Sequence, residues 1–260
     1  MAARRPVLAA WYEEHGRHQL PWRKTRDRWA ILVSEVMLHQ TQAPRVEAAY
    51  PAFLAEFPTP GAMAAATPGD VIRAWGRLGY PRRARRLWEA ARRIAAEGWP
   101  EDLRTLPGVG RYTAAAILAQ ADDADVPAVE VNVRRVVERV AGRRLTVTEA
   151  EAEMIRVARP LRGRDRLLAL MDVGAIVCRP ASPRCPECPL QRRCATRGPL
   201  PSETRATQSP YEGSFRQQRG AVLARLRAGP TPAALLDAEA LASLRRDGLA
   251  VVEGATARLP

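Results

Sequence analysis

Cysteine is confined to one short stretch of the chain. The 260 residues include only four cysteines, and their spacing is Cys-x6-Cys-x2-Cys-x5-Cys. A chain that relies on disulfides usually distributes its cysteines and needs an oxidising compartment, for which the sequence gives no sign. Four thiolates this close together instead favour one metal centre. The predicted ligands are Cys178, Cys185, Cys188 and Cys194.

The spacing also bears on the kind of metal centre. A structural zinc site more often has two Cys-x2-Cys pairs, and only Cys185 and Cys188 form such a pair. Four thiolates separated by uneven loops are typical of a cubane iron–sulfur cluster. We therefore predict a 4Fe–4S cluster, with zinc as the second interpretation and two disulfides as the third.

Lysine is scarcer still, since Lys24 is the only one. Arginine nevertheless brings Lys plus Arg to 41 against 28 Asp plus Glu, a net charge of +13. Such an excess favours a polyanionic partner and salt-sensitive binding. A GC-rich genome would produce the same bias towards arginine, so charge alone is only supporting evidence for binding to nucleic acid.

Long apolar runs are missing too. The N-terminal sequence lacks the apolar core of a signal peptide, and no later segment is long enough to span a bilayer. We therefore expect a cytoplasmic, nucleoid-associated bacterial protein that is monomeric and has no membrane partner. The chain length allows one large domain or two smaller ones.

Apolar residues recur at helical spacing through most of the chain, and this pattern predicts an all-α fold. A stretch rich in Pro, Ser, Thr and Gly at 197–213 predicts a linker. The remaining residues, 214–260, predict a small winged-helix-like module. Its expected elements are helices at 214–227, 231–236 and 238–247 and a β-hairpin that ends at Leu259.

A helix–hairpin–helix pattern occupies Leu106–Thr113. Gly108 and Gly110 permit unusual backbone angles and close approach of another molecule, and Val109 lies between them. Exposed amides at the start of the next helix, predicted at Arg111, can hold a DNA phosphate without reading the bases. Such a turn alone is usually only a connector between helices. The cysteine signature that follows it makes the pattern specific.

Together the hairpin and the cysteines resemble the iron–sulfur branch of the helix–hairpin–helix DNA glycosylase superfamily, over about residues 8–196. Four motifs are similar to adenine glycosylases of the MutY type: Leu20–Arg23, Ser34–Gln42, Gly79-Tyr80 and Met171–Ala175. The resemblance implies a catalytic region at 1–196 with two helical lobes and a DNA-binding cleft between them. One lobe would be a six-helix barrel at about 26–125, and the other would hold the cluster and comprise 1–25 and 126–196.

The resemblance implies two catalytic carboxylates. Glu35 lies in an apolar helix, where desolvation is expected to raise its pKa, and it resembles the general acid that protonates the purine at N7. A structural pairing with an arginine is the alternative. The second carboxylate offsets positive charge on the sugar. The family has Asp-x-Asn-Val there, whereas this chain has Glu130 followed by the supporting amide Asn132, which otherwise reads as a helix cap.

Glutamate at position 130 keeps the charge but adds a methylene, and a displacement of about 1 Å can cost roughly a hundredfold in rate. We expect the glycosidic chemistry to survive, because charge stabilisation is retained. A catalytically impaired lesion-binding protein is the alternative. Tyr112 stands where endonuclease III has the lysine that forms a Schiff base and cleaves the strand. We therefore expect a monofunctional enzyme, with Tyr112 near the sugar or simply packed after the hairpin.

The remaining roles follow from the resemblance alone. Gln40 and Tyr80 resemble residues that wedge into the duplex where the target base is flipped out, and Thr41 resembles a contact to the orphan base. His39 replaces a usual glutamine and is expected to be structural. Exposed arginines of the cysteine loop are expected to meet phosphates. The walls of the base pocket are expected to be Trp22, Arg23, Leu38 and Leu168.

Two departures bear on the substrate. Adenine glycosylases often carry Gln or Glu at the position of Leu168, and leucine cannot hydrogen-bond to a base. The resemblance would also imply a larger Nudix-like domain that recognises 8-oxoguanine, whereas residues 214–260 have neither its length nor its Phe-Ser-His loop and are expected either to contact DNA or to pack on the catalytic lobes. The predicted function is hydrolysis of the glycosidic bond of adenine opposite guanine or 8-oxoguanine in double-stranded DNA. A thymine or uracil mismatch glycosylase is the alternative.

Overall fold

The computed structural model describes residues 7–201, 203 and 209–260. This part of the chain is mostly helical, which confirms the predicted all-α class. None of its helices has the length and apolar character needed to cross a membrane. The α-helices are α1 (Val7–His15), α2 (Arg28–Leu38), α3 (Ala43–Glu56), α4 (Pro60–Ala65), α5 (Pro68–Trp75), α6 (Arg82–Glu97), α7 (Arg111–Ala121), α8 (Val131–Ala141), α9 (Val147–Ala158), α10 (Gly163–Asp172), α11 (Phe215–Ala228) and α12 (Ala238–Arg246). The strands are β1 (Thr231–Pro232), β2 (Val251–Glu253) and β3 (Thr256–Arg258).

Helix boundaries follow from local sequence. Thr67 and Thr146 precede α5 and α9, and each accepts a hydrogen bond from the backbone of Asp70 or Glu149, whose side chain bonds back to the cap residue. These capping boxes satisfy amides that the first turn of a helix leaves unpaired. Gly142, with φ of 77°, ends α8 in the left-handed conformation that favours glycine.

Contacts between Cα atoms divide the chain into two compact units. Unit 1 comprises Met1–Leu32 and Gly110–Arg205, and unit 2 comprises Val33–Val109 and Ala206–Pro260. The boundaries thus fall within α2 and within the hairpin, whereas the sequence predicts a barrel lobe at about 26–125. The C-terminal residues belong to unit 2 and do not form a third unit. Residues 202 and 204–208 of the predicted linker lie outside the described residues.

Unit 1 has a core built from one face of each of its helices. In α8 the buried residues Val133, Val136, Val137 and Val140 recur at the spacing of one helix face. They pack with residues of α1, α7, α9 and α10 in one apolar cluster. Leu168, a predicted wall of the base pocket, is 3% exposed and belongs to this cluster, so its side chain lies in the core of the unit.

A π-helix at Val173–Val177 follows α10. The amide of Cys178 closes this wider turn with a 2.7 Å hydrogen bond to the carbonyl of Val173. A Cβ on Gly174 would lie 2.8 Å from Cβ of Asn132, so glycine is needed for the turn to approach α8 this closely. The π-helix therefore brings the first predicted metal ligand beside α8.

The C-terminal part of unit 2 forms a small winged-helix-like module. Its helices α11 and α12 pack together, and its antiparallel strands have the order β1–β3–β2, with Thr231 and Val252 both opposite Ala257. The predicted short helix at 231–236 is wrong, because β1 is followed by only one 3-10 turn at Ala233–Leu235. Pro232 has no amide hydrogen, and the edge of a sheet tolerates this.

The module packs on α5 and α6 of the same unit. The amide of Gly69, in the first turn of α5, donates a 2.8 Å hydrogen bond to the carbonyl of Pro260. Asp247, at the end of α12, lies 3.6 Å from Nε of Arg82 in α6. Packing against the predicted catalytic region, one of the two roles left open by the sequence, is therefore present, and contact of the module with DNA stays a prediction.

Candidate active site and metal centre

Glu130, the predicted sugar-side carboxylate, caps the first turn of α8. Its Oε1 accepts a 2.8 Å hydrogen bond from the amide of Val133, and its Oε2 accepts a 3.0 Å bond from Nδ2 of Asn132. Shorter side chains such as aspartate are the usual caps, so this longer side chain folds back onto its own helix. Both carboxylate oxygens are held, and Glu130, not Asn132, is the cap.

Burial raises the pKa of Glu130 above the ordinary glutamate value. The hydrogen bonds from Asn132 and Val133 and the positive charge of Arg135 oppose this shift but do not cancel it. A partly buried carboxylate held by fixed donors can stabilise positive charge that develops beside it without reorganising.

Arg135 connects the carboxylate to the cysteine loop. One guanidinium nitrogen, Nη2, donates to Oδ1 of Asn132 at 2.8 Å and to the carbonyl of Gly174 at 2.7 Å. Its Nε donates to the carbonyl of Cys178 at 2.7 Å. The sequence analysis did not identify Arg135, although it lies three residues after Asn132 and therefore on the same face of α8.

The four cysteines line one cavity, which is partly open to solvent. Within the described ranges, no three His, Cys, Asp or Glu side chains are close enough to hold a single metal ion. Burial raises the pKa of the Cys178 thiol above its ordinary value, and it raises the pKa of the Cys188 thiol to about 11. A donor set of four thiols around a cavity fits a cluster of several metal atoms better than one zinc ion.

A second arginine, Arg139, closes the inner side of this cavity. It is 1% exposed, and its Nη1 lies 3.5 Å from Sγ of Cys178. Glu203 accepts two hydrogen bonds of 2.7 Å from the same guanidinium. The chain that leaves the last cysteine is thereby tied back to α8. The sequence analysis missed both residues, because nothing local distinguishes Arg139 from the other arginines.

Trp22 and Arg23, predicted walls of the base pocket, form a short 3-10 helix and are both buried in unit 1. The guanidinium of Arg23 binds both oxygens of Asp172, and Nε of Arg17 binds one of them at 2.6 Å. Burial alone would raise the pKa of Asp172, but the two arginines hold it below the ordinary aspartate value. Nε of Arg23 is buried and has no hydrogen-bond partner among the described residues.

Tyr112, the second residue of α7, is partly buried and packs against the apolar cluster of unit 1. Packing after the hairpin, one of its two predicted roles, is therefore present. The other role, beside the sugar, stays a prediction.

In unit 2, Glu35 lies inside α2 and is 3% exposed. Leu38 ends this helix and is half-buried. Burial, and next the positive charge of Arg83, lower the pKa of His39 below the ordinary histidine value. His39 is therefore uncharged at neutral pH, which agrees with a structural role.

The predicted wedge residues have an uncommon backbone conformation. Gln40 and Tyr80 have φ of 55° and 47°, in the left-handed region. Gln40 is exposed, and Tyr80 is 44% exposed. Thr41 is buried, and its hydroxyl donates to the carbonyl of Leu78 at 3.1 Å. This bond uses the only hydroxyl proton of Thr41. In the predicted contact with an orphan base, the Thr41 hydroxyl oxygen would therefore have to accept a hydrogen bond.

The hairpin has the predicted form, and α7 begins at Arg111. Gly108 has φ of 79°, and a Cβ there would lie 3.1 Å from Cβ of Arg86. Gly110 does not have the unusual angles that the sequence analysis expects, because its φ is −94°. A Cβ on Gly110 would meet nothing within 4 Å, so its lack of a side chain leaves room beside the helix start. The side chain of Val109 is buried, so only the backbone of this residue could contact DNA.

The arginines of the cysteine loop are exposed. Arg184 pairs with Glu187 at 3.0 Å. The side chains of the other three have no hydrogen bond or ion pair to a residue that the structure describes, and their guanidinium groups are available to a polyanion. They are Arg179, Arg192 and Arg193.

Comparison with known proteins places the chain among DNA repair proteins. Residues 33–160 match the HhH-GPD superfamily base excision DNA repair protein family. An adenine DNA glycosylase of Mycolicibacterium smegmatis is 44% identical over 239 residues, which cover 86% of this chain and 80% of the relative. A thymine-DNA glycosylase of Aeropyrum pernix is 34% identical over 207 residues, and this match covers 74% of this chain and 93% of the relative. The solved structure of a thermostable thymine-DNA glycosylase has a TM-score of 0.65 at 28% identity, and the match covers 73% of this chain and 92% of that one.

Proposed function

Because the chain belongs to the adenine DNA glycosylases of the HhH-GPD superfamily, we propose that it removes adenine from double-stranded DNA by hydrolysing the N-glycosidic bond. The family membership confirms the predicted resemblance. The observation that carries the proposed chemistry is the geometry of Glu130, whose two oxygens are fixed by Val133 and Asn132.

The proposed reaction divides between two carboxyl groups. Glu35 donates a proton to N7 of adenine, and the bond between N9 and the sugar breaks with its electron pair going to the base. Ionised Glu130 offsets the positive charge that builds on the sugar. Water then adds to C1′ and returns a proton to Glu35, which restores both groups. The unpartnered Nε of Arg23 is a donor suited to an acceptor atom of the flipped base.

A 4Fe–4S cluster is the proposed cofactor, held by Cys178, Cys185, Cys188 and Cys194. When bound, it would fix the loop from 178 to 194 and take no part in the hydrolysis. The support is the cavity that all four cysteines line. An absorbance band at about 400 nm in the purified protein would support the iron–sulfur cluster, whereas bound zinc without this band would contradict it.

Double-stranded DNA with a mismatch is the proposed partner. The amides at the start of α7, where Gly110 leaves open space, and the exposed arginines Arg179, Arg192 and Arg193 are the proposed phosphate contacts. A bacterial enzyme with this partner would act as a monomer in the cytoplasm, on the nucleoid. Tyr112 supplies no amine for a Schiff base, and we therefore propose that the enzyme does not cleave the strand.

Adenine opposite guanine or 8-oxoguanine is the proposed target. Thymine or uracil opposite guanine is the second candidate, because a thymine-DNA glycosylase is 34% identical over 74% of the chain. The apolar, buried Leu168 also gives no hydrogen bond with which to select adenine. A protein that binds lesions without base release is the third.

One assay separates these functions. Duplexes with A opposite 8-oxoguanine, A opposite G, T opposite G and U opposite G are incubated with the protein, and abasic sites are then cleaved with alkali. We expect adenine release from the first two and no strand cleavage without alkali. Release of thymine or uracil alone would favour the second candidate, and DNA binding without release would favour the third.

A further inference from the structure

Two turns of unit 2 have strained backbones at the residues predicted to enter DNA. Four non-glycine residues in the described part of the chain have positive φ, and Gln40 and Tyr80 are two of them. Gln40 follows α2, and Tyr80 precedes α6. Left-handed backbone is unfavourable for side chains of this size and persists only where surrounding contacts enforce it. The residue that enforces it in both turns is therefore of functional interest.

Arg83, in the first turn of α6, contacts both turns. Its Nη1 donates to the carbonyls of Val36 and Met37, at 2.7 and 2.9 Å, in the last turn of α2. Its Nη2 donates to Oγ1 of Thr41 at 2.9 Å and to the carbonyl of Gly79 at 3.0 Å. One guanidinium thus joins the segments on either side of Gln40 to the residue that precedes Tyr80.

Aromatic side chains complete the site around Arg83. Its guanidinium carbon lies 5.2 Å from the ring centroid of Trp75 and 5.4 Å from that of Tyr80. Nε1 of Trp75 donates a 2.9 Å hydrogen bond to the carbonyl of Gly79. Gly79 is therefore held from two directions, and the ring of Tyr80 rests beside a fixed cation.

The chemistry of this site requires arginine. The guanidinium donates only to neutral carbonyl and hydroxyl oxygens, and burial lowers the pKa of Arg83 to about 10, so it stays charged at neutral pH. A planar group with five donors can serve this many acceptors in a fixed geometry, whereas the single ammonium of lysine cannot. The side chain is turned inward to the protein backbone and is half-buried.

We propose that Arg83 is a positioning residue that holds Gln40 and Tyr80 in the backbone conformation needed for insertion into the duplex. It does so through the α2 carbonyls, Thr41 and Gly79, without contacting DNA itself. The inference rests on the proposed function, since it requires that the two residues enter DNA.

The test measures base unstacking and base release separately. A mismatched duplex carries 2-aminopurine next to the target adenine, and its fluorescence rises when neighbouring bases unstack. Arg83→Lys is compared with the wild-type protein and with Arg92→Lys, which alters an exposed arginine further along α6. Tyr80→Ala shows the response of a missing wedge. Fluorescence is read at saturating protein, and DNA affinity and single-turnover base release are measured in parallel.

We expect Arg83→Lys to lose most of the fluorescence rise, as Tyr80→Ala does, and to release base about tenfold more slowly or worse. DNA affinity should stay close to that of the wild type, because Arg83 does not contact DNA, and Arg92→Lys should behave as the wild type. Hydrogen exchange in the free protein should accelerate at residues 38–41 and 77–80 together. A full fluorescence rise in Arg83→Lys would overturn the inference.

A second pair of variants decides the matter if Arg83→Lys does not fold. Thr41→Val removes one acceptor of Arg83 at constant size and should reduce the rise, whereas Thr41→Ser keeps the hydroxyl and should restore it. A wild-type protein that unstacks the probe but releases no base would refute the proposed function and leave the inference standing. A wild-type protein that does not unstack it would refute the inference as well.

Discussion

Nε of Arg135 donates a 2.7 Å hydrogen bond to the carbonyl oxygen of Cys178. The same side chain donates to Asn132, which in turn donates to Glu130. The loop proposed to hold the cluster and the proposed sugar-side carboxylate are thus connected through two side chains, Arg135 and Asn132. A change at one end of this chain of hydrogen bonds is expected to move the other.

Replacement of Arg135 by lysine tests this connection. Lysine cannot serve Asn132, Gly174 and Cys178 together, so we expect base release to slow about tenfold or more through misplacement of Glu130. Bound iron should also be lost faster on incubation with a chelator. The matched control is Arg143→Lys, an exposed arginine just after α8 that pairs with Glu149. Unchanged rates in Arg135→Lys would show that the connection has no role in catalysis.

Substitution of Glu130 separates charge from length. Glu130→Gln keeps the size but removes the charge, and we expect single-turnover base release to fall by about 10²- to 10³-fold. Glu130→Asp keeps the charge and is a better helix cap, so its rate should equal or exceed that of the wild-type protein. A large loss in Glu130→Asp would mean that the surrounding structure has adapted to the longer side chain.

The raised pKa of Glu130 predicts the acid limb of the pH–rate profile. The reaction needs ionised Glu130, so the rate should fall at a higher pH than an ordinary glutamate would give, as acidity protonates it. Asn132→Ala removes a hydrogen bond that lowers this pKa, and the limb should move further towards neutral pH. Stability has the opposite pH dependence: the folded protein binds this proton more tightly than the unfolded chain, so this group's contribution to stability declines as pH rises through the raised pKa. A limb that stays in place in Asn132→Ala would contradict the assignment.

Gly174→Ala tests the close approach of the π-helix to α8. The new Cβ would lie 2.8 Å from Cβ and 2.9 Å from the carbonyl oxygen of Asn132, so backbone must move. We expect a lower unfolding temperature and a loss of base release of about 10- to 100-fold, since Asn132 orients Glu130. Gly61→Ala in α4 is the control, because its nearest contact would be 3.8 Å away. Equal behaviour of the two variants would refute the explanation.

Local patterns in the sequence were sufficient to predict some features of the fold and of the candidate site. The start of α7 at Arg111 follows from the two glycines of the hairpin, and the grouping of the four cysteines follows from their spacing. The helix cap formed by Glu130 could also have been predicted, because Glu130 lies just before an amphipathic helix. Each of these depends on residues close together in the chain.

The features that escaped prediction depend on distant partners. Arg23 meets Asp172 across 149 positions, and no periodicity indicates that pairing. With 41 basic residues in the chain, nothing local marks Arg83, Arg135 or Arg139 as arginines that bind several acceptors within the protein. Strand β1 was missed for a similar reason, since two residues acquire their strand geometry only from pairing with β3.

The left-handed backbone of Gln40 and Tyr80 has a consequence for selection experiments. Glycine adopts this conformation without strain, so glycine at either position should make the folded protein more stable. A library of variants screened for heat resistance alone would therefore enrich glycine at positions 40 and 80 and discard the side chains proposed to enter DNA. To retain Gln40 and Tyr80, a screen must also select for base release from DNA.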